Sequence, residues 1–212
     1  MIFINKNFYH ATFKSFTHLG LEVKTKYLKI AYKTYNLLLM NILLFDKRLQ
    51  SNFIKFSNQE IFWGINSFTP YPNVIKCILN DYKSDGRIIN NLFDKSIELN
   101  YHSIIQYFID DKRIHLLFLK TKFVKACALG KDKIVEIFLK DDRINPSDIK
   151  NTPIRIACVN GHYETVKILL SDKRVDPSDR NQECIRVASH LGFKKIVKLL
   201  LTDSRVDQTS II

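Results

Sequence analysis

One short pattern limits what this chain can fold into more than any other feature. It reads aliphatic, any residue, Asp, any residue, Arg or Lys. It occurs at Leu44-Phe45-Asp46-Lys47-Arg48, Leu79-Asn80-Asp81-Tyr82-Lys83 and Ile109-Asp110-Asp111-Lys112-Arg113. It returns at Leu139-Lys140-Asp141-Asp142-Arg143, Leu170-Ser171-Asp172-Lys173-Arg174 and Leu201-Thr202-Asp203-Ser204-Arg205. The starts, 44, 79, 109, 139, 170 and 201, are spaced 35, 30, 30, 31 and 31. A fixed period of this size marks a solenoid, whose units bury their apolar faces only against their neighbours. Such a stack presents a long shallow surface, which suits binding better than it suits chemistry in a closed pocket.

Composition narrows the setting. Hydrophobic residues make up 46% of the chain and charged residues 25%, which excludes a disordered composition. The longest nearly apolar run, 36–45, is too short for a membrane span of roughly 20 residues. The N-terminus lacks the basic-then-apolar order of a secretory signal. These features predict an intracellular protein (cytoplasmic, or in host cytoplasm) with no membrane partner. The formal net charge of +12 raises the alternative of a nucleic-acid-associating basic repeat protein. Residues 1–60 carry nine basic and three acidic residues without forming an Arg/Lys block. The joint richness in Ile, Asn, Lys, Phe and Tyr is what AT-rich coding sequence yields, so the excess reads first as composition. Nucleic acid is therefore the weaker reading.

The four cysteines, Cys77, Cys127, Cys158 and Cys184, form no Cys-x-x-Cys and stand at no metal spacing from a His pair. Cys127 and Cys158 are 31 apart and occupy one place in successive units. Neighbouring units lie roughly 10 Å apart, one helix diameter, beyond the reach of a disulfide at about 7 Å. All four are expected to be free thiols.

Taken in order, residues 1–24 do not fit the period. Phe3, Phe8, Phe13 and Phe16, with Gly20 as a stop, suggest an N-terminal helical cap over the open end of the array, which spans 25–212. The first unit runs from Thr25 to Leu49. The second, from Ser57 to Asp85, is irregular. It opens on a capping box, Ser57-Asn58-Gln59-Glu60, holds the single tryptophan, Trp63, and is broken by Pro70-Tyr71-Pro72. The third starts at Asn91 as N-cap and the fourth at Thr121. The fifth starts at Thr152-Pro153, an N-cap followed by Pro at the first helical position. Gly130, Gly161 and Gly192, spaced 31 and 31, end the first helix of each pair in the left-handed conformation. The repeated Asp and Arg read as a structural surface ladder.

Thr152-Pro153-Ile154-Arg155-Ile156-Ala157-Cys158-Val159-Asn160-Gly161-His162-Tyr163-Glu164-Thr165-Val166-Lys167-Ile168-Leu169-Leu170 resembles an ankyrin repeat. The match is strongest in the fifth unit, good in the fourth and sixth, and faint in the first three. The resemblance implies an all-α ankyrin-type helical repeat solenoid of about six helix pairs. Arg155 and Arg186 stand where the family usually has His. Lys173-Arg174-Val175-Asp176-Pro177 replaces the family's Gly-Ala-Asp, and the shorter period implies shorter loops than its β-hairpin fingers. The Asp-x-Arg-Val-Asp-Pro variant is similar to the divergent ankyrin arrays of giant viruses of amoebae.

The resemblance further implies non-catalytic recognition of a partner protein through the concave face, a host protein if the origin is viral, by a monomer. The positions it implies are those ending the first helices, Ala128, Leu129, Val159, Asn160, His190 and Leu191. The inter-repeat loop positions are Lys150, Asn151, Arg180 and Asn181. Trp63 and Tyr71 form a second candidate patch, because Trp and Tyr are enriched at binding hot spots. No enzyme is expected: the six histidines fall at no metal or dyad spacing, and neither a phosphate loop nor a nucleophile elbow occurs. No cofactor is expected.

Overall fold

The computed structural model describes residues 18–33, 39, 42–43, 46, 48–49, 86–112 and 114–210. The chain divides into two compact units, Met1–Leu92 and Phe93–Ile212. Phe3, Phe8, Phe13, Phe16, the capping box at Ser57, Trp63, Tyr71 and Cys77 lie outside the described residues.

In the first unit, α1 (Leu21–Lys33) begins directly after Gly20 and runs through position 24 into the first repeat. Lys24, Leu28 and Ala31 recur at helical spacing and are buried, as are Ile42, Leu43 and Leu49. Lys24 is tolerated inside because its Nζ lies 3.1 Å from Asp46 Oδ2. Arg48 also binds Asp46, and these cations hold that carboxyl far below the usual carboxylate range.

The second unit is a two-layer stack. Its helices are the C-terminal half of α2 (Gly86–Glu98), α3 (His102–Asp110), α4 (Leu116–Ala128), α5 (Asp132–Leu139), α6 (Asp148–Val159), α7 (Tyr163–Leu170), α8 (Asp179–His190) and α9 (Lys194–Leu200). The first helices α4, α6 and α8 pack side by side, and the second helices α3, α5, α7 and α9 form the other layer. No strand occurs among the described residues. Two columns of buried side chains run through the stack. Phe93, Phe123, Ile154 and Ile185 line the first layer, and Phe108, Phe138, Leu169 and Leu200 the second. Their spacing of 30 or 31 is the repeat itself.

The turn between paired helices is left-handed at Gly130 (φ 62), Gly161 (φ 73) and Gly192 (φ 73), as the spacing predicts. Close packing adds a second reason for glycine. A Cβ on Gly130 would stand 2.6 Å from the His162 ring, and one on Gly161 2.8 Å from the Phe193 ring. In the third unit Asn100 (φ 59) takes this place; its short polar side chain is among the few that enter this region readily.

Two helix starts differ from the sequence reading. α2 begins at Gly86 rather than at Asn91. α4 begins at Leu116 rather than at Thr121, because His115 serves as N-cap and its Nδ1 accepts from the Leu117 N–H at 3.2 Å. Both helices gain a turn, and in α4 the added turn includes the buried Leu119. In α6, Lys150 and Asn151 are left-handed, so the right-handed run opens at Thr152 with Pro153 in its first turn. There the missing N–H breaks no helical bond. In α8, Arg180, Asn181 and Gln182 are left-handed, and the right-handed run opens at Glu183.

The Asp-x-Arg signature closes the loops after α5, α7 and α9. Asp141, Asp172 and Asp203 each accept the backbone N–H of the Arg two residues on, at 3.0 Å, and bind its guanidinium too. A second such turn follows, with Asn145 accepting from Ser147 N and Asp176 from Ser178 N. Arg143 also donates to the Ile109 carbonyl and Arg174 to the Ile144 carbonyl at 3.1 Å, so the signature ties one repeat to the preceding one. Val175 and Ile144, inside these loops, are fully buried. The loops are thus compact knots of local hydrogen bonds rather than hairpins.

Candidate functional site

The first helices of the second unit end along one edge of the stack. A large apolar residue at or beside each helix end is partly exposed. Leu99, Leu129, Val159 and Leu191 are 37%, 41%, 39% and 46% exposed there. Leu129 and Leu191 are the C-caps of α4 and α8, and Val159 is the last residue of α6. His190 and Asn160 are exposed on the same edge, and Ala128 is half-buried. Six sequence-predicted helix-end residues are therefore brought together. Leu99 completes the series but carries no glycine landmark, because Asn100 replaces Gly in its turn. Its distance of 30 from Leu129 is the signal that finds it.

The edge is braced from behind. Asn160 Nδ2 donates to the Ala128 carbonyl at 3.2 Å, and His162 Nε2 lies 2.9 Å from the same oxygen. A carbonyl can only accept, so the Nε2 there carries the proton. One repeat earlier, Lys131 Nζ donates to the Glu98 carbonyl at 2.8 Å. These bonds satisfy carbonyls that a helix end leaves without an intrahelical partner.

Charges bridge the first-helix layer inboard of the edge. Arg155 makes a bidentate pair with Glu183, at 2.7 and 2.8 Å, and its Nη1 donates to the Lys150 carbonyl. Arg186 donates likewise to the Asn181 carbonyl at 3.2 Å. These are the bonds made by the two arginines that replace the family's usual His. The Arg155 guanidinium holds Glu183 below the usual carboxylate range. Lys125 lies 3.1 Å from Glu98 and 3.2 Å from Asp94, and Lys122 lies 2.7 Å from Asp94.

The four loop residues divide. Lys150, Arg180 and Asn181 are exposed, each held in a left-handed conformation. Asn151 is only 6% exposed, and its amide serves as a link. It donates to Asp179 at 3.0 Å and accepts from the Asp176 N–H at 2.9 Å. Its side chain is therefore spent on the joint between repeats rather than offered to a partner.

Other features among the described residues offer no convergent chemistry. A cleft of about 260 Å³ beside α3 and α5 is lined by Asp110, Asp141, Asp142, Lys112, Lys140 and Arg143 among others, and Arg143 is already bound to Asp141. No cluster of three His, Cys, Asp or Glu disposed to hold a metal occurs among the described residues. Cys127, Cys158 and Cys184 are free and buried. Burial pushes the Cys127 thiol far up, and a hydrogen bond with Cys184 together with burial raises Cys158, so both stay protonated. No described helix is long and apolar enough to cross a membrane.

A model of the family described as ankyrin repeats (3 copies) matches residues 92–181 and, overlapping, 123–210. The chain belongs to the ankyrin-repeat family. Ankyrin repeats are generally protein–protein interaction modules and are generally non-enzymatic. No curated protein and no solved structure matches this ankyrin chain.

Proposed function

We propose that this ankyrin array recognises another protein, non-catalytically, along the edge where its first helices end. The observation that carries the reading is the set of large apolar side chains left partly in solvent at or beside successive first-helix ends. Leu129 and Leu191 are the C-caps of their helices and Val159 stands one place before the C-cap Asn160, and all three are exposed. A single exposed leucine means little, but a set of them rimmed by polar groups is what an interaction surface has. The exposed loop residues Lys150, Arg180 and Asn181 extend the same face.

The test compares the full chain with a variant carrying Leu129→Glu, Asn160→Arg and Leu191→Glu. Both serve as bait in pull-downs, after circular dichroism has shown equal helicity. Selective loss of bound proteins by the variant is expected. If the folded variant retained every partner, recognition would lie elsewhere on the molecule.

A further inference from the structure

Arg155 and Arg186 stand 31 residues apart, at one place in successive repeats, and they are anchored alike. Arg155 Nη1 donates to the carbonyl of Lys150, five residues earlier, and Arg186 Nη1 donates to the carbonyl of Asn181, also five earlier. Lys150 and Asn181 are both left-handed (φ 56 each), so one unusual backbone setting presents the accepting carbonyl in each repeat. A guanidinium tied down at one corner has less freedom to lose when its remaining donors are used.

The two arginines differ in what those remaining donors meet. Arg155 Nε and Nη2 hold both oxygens of Glu183, at 2.7 and 2.8 Å, in the fork geometry that suits a carboxylate. Glu183 comes from the following repeat. Arg186 Nε and Nη2 donate to no acceptor among the described residues. Neither atom is buried without a partner, so both are open to solvent. The carboxylates nearby are spent. Glu183 is held by Arg155, with Arg180 Nη1 at 3.9 Å, and Asp179 accepts from Asn151. Arg155 through its hydrogen bonds, and Arg180 and Arg186 through their charge, draw the Glu183 carboxyl below its usual range, so the three guanidiniums share one neighbourhood. Arg155, Arg180 and Arg186 thus stand there against two carboxylates, Glu183 and Asp179.

We propose that the open fork of Arg186 receives an Asp or Glu carboxylate from an acidic segment of the partner protein. This rests on the protein-recognition reading above and names the chemistry of the partner. Arg155 and Glu183 show, one repeat away, the bond that would form. His190, four residues on, shares the Arg186 face of α8 and is exposed on the edge where the first helices end. A segment bound along that edge therefore passes the fork. A phosphate group also fits such a fork. A nucleic-acid strand, however, brings a run of closely spaced charges against Glu183 and Asp179. An isolated carboxylate meets the surplus cation without that repulsion.

The experiment titrates the isotope-labelled full chain at low salt with a short acetylated and amidated peptide of Gly, Ser and Glu. Nuclear magnetic resonance follows each arginine Nε–H, and the Arg186 signal is assigned by its loss in Arg186→Lys. A second peptide has Gln for Glu, and a short oligothymidylate supplies phosphodiesters. The acidic peptide is expected to shift Arg186 saturably and to leave Arg155, whose fork is filled, nearly unmoved. The Gln peptide should shift neither. Arg186→Gln should weaken the acidic peptide about fivefold, the upper end for an exposed ion pair. Arg186→Lys keeps the charge but loses the fork, and should recover only part of that loss. Lys198→Gln removes a charge of the same sign from an exposed position on α9 and should leave binding within about twofold. Circular dichroism and urea unfolding check that each variant is folded. An unmoved Arg186, equal binding of the Gln peptide, full recovery by Lys or an equal loss from Lys198→Gln overturns the proposal. So does tighter binding of the oligothymidylate at Arg186, which would make the fork a nucleic-acid contact. A pull-down with Arg186→Gln as bait carries the test to whole proteins. Loss of proteins that Lys198→Gln retains supports the proposal, and retention of every one overturns it. The triple variant above leaves Arg186 in place, so protein recognition along the edge stands or falls on its own result.

Discussion

The third and fourth repeats and the fifth and sixth build the same stack from different materials. In the earlier pair the core columns are aromatic. Phe93 stacks on Phe108 with centroids 4.1 Å apart, Phe138 lies 6.1 Å from Phe93, and Phe123 lies 5.6 Å from Phe138. In the later pair the same positions hold Ile154, Leu169, Ile185 and Leu200, all buried. The resemblance to ankyrin is strongest in the fifth repeat, good in the fourth and sixth, and faint in the third. Yet the helices align, the left-handed turn persists through Asn100, and the Asp-x-Arg loops have one geometry. The architecture thus follows from the period and the turns, and the columns need apolar volume more than a particular side chain.

The largest test of that view lies in the core. Phe138→Ala should cost about 3–5 kcal/mol and Leu169→Ala about 2–5, measured by urea unfolding. Phe138→Leu should cost only about 1–2 kcal/mol, the lost ring contacts and some volume. If Leu were as damaging as Ala there, the aromatic half would depend on ring packing and the two halves would not be equivalent.

Next come the turns. Gly130→Ala meets both the left-handed backbone and the His162 ring, whereas at Gly192 nothing lies within 4 Å of the added carbon. Gly130→Ala should therefore cost more than about 2 kcal/mol and Gly192→Ala about 1, in the same unfolding assay. Equal losses would mean that the backbone alone demands glycine.

The acid limb should treat the halves alike. Side-chain bonds from Arg143, Arg174 and Arg205 hold Asp141, Asp172 and Asp203 below the ordinary 3.8. A carboxyl whose folded value is lowered stabilises fully above its unfolded value, and this is lost as pH falls from there through the folded value. Stability should therefore decline below about pH 4, and Asp141→Asn and Asp172→Asn should each flatten that decline by a similar amount. Chemical unfolding repeated from pH 7 to pH 3 would show it.

The smallest effect is expected at Asn100→Gly. Glycine eases the left-handed turn but loosens the unfolded chain, leaving a gain of no more than about 0.5 kcal/mol.

Most of the stack was legible because its landmarks are repeated: the period recurs along the chain, the turn glycine stands at one place in the last three units, and Cys127 and Cys158 share a place. What stayed hidden depends on neighbours. His115 caps α4 from a position where His is no ordinary cap, so the helix opens at Leu116, five residues before the Thr121 at which the fourth repeat is read to begin. Asn151 looks like a loop residue until Asp176 and Asp179 of the following repeat are brought against it. Leu99 escaped because its turn lacks glycine. The left-handed run Arg180-Asn181-Gln182 carries no glycine either, and only the fold reveals it. The signature Asp and Arg read correctly as structural, although their tie to the preceding repeat, through the Ile109 and Ile144 carbonyls, has no trace in spacing alone.

The joints between first helices also bear on how such an array can change length. Lys120 binds Asp148, and at the next joint Asn151 binds Asp179. Excise residues 148–178, and Lys120 would meet Asp179, a partner of the same kind as the one it lost. Phe193 would then cover Gly130 as it now covers Gly161, and Arg205 would stand where Arg174 stands. Each joint accepts the contacts of the next, so recombination between neighbouring copies can remove or duplicate a whole unit and leave interfaces that still close. Such a change would shorten or lengthen the line of first-helix ends by one unit without any point mutation.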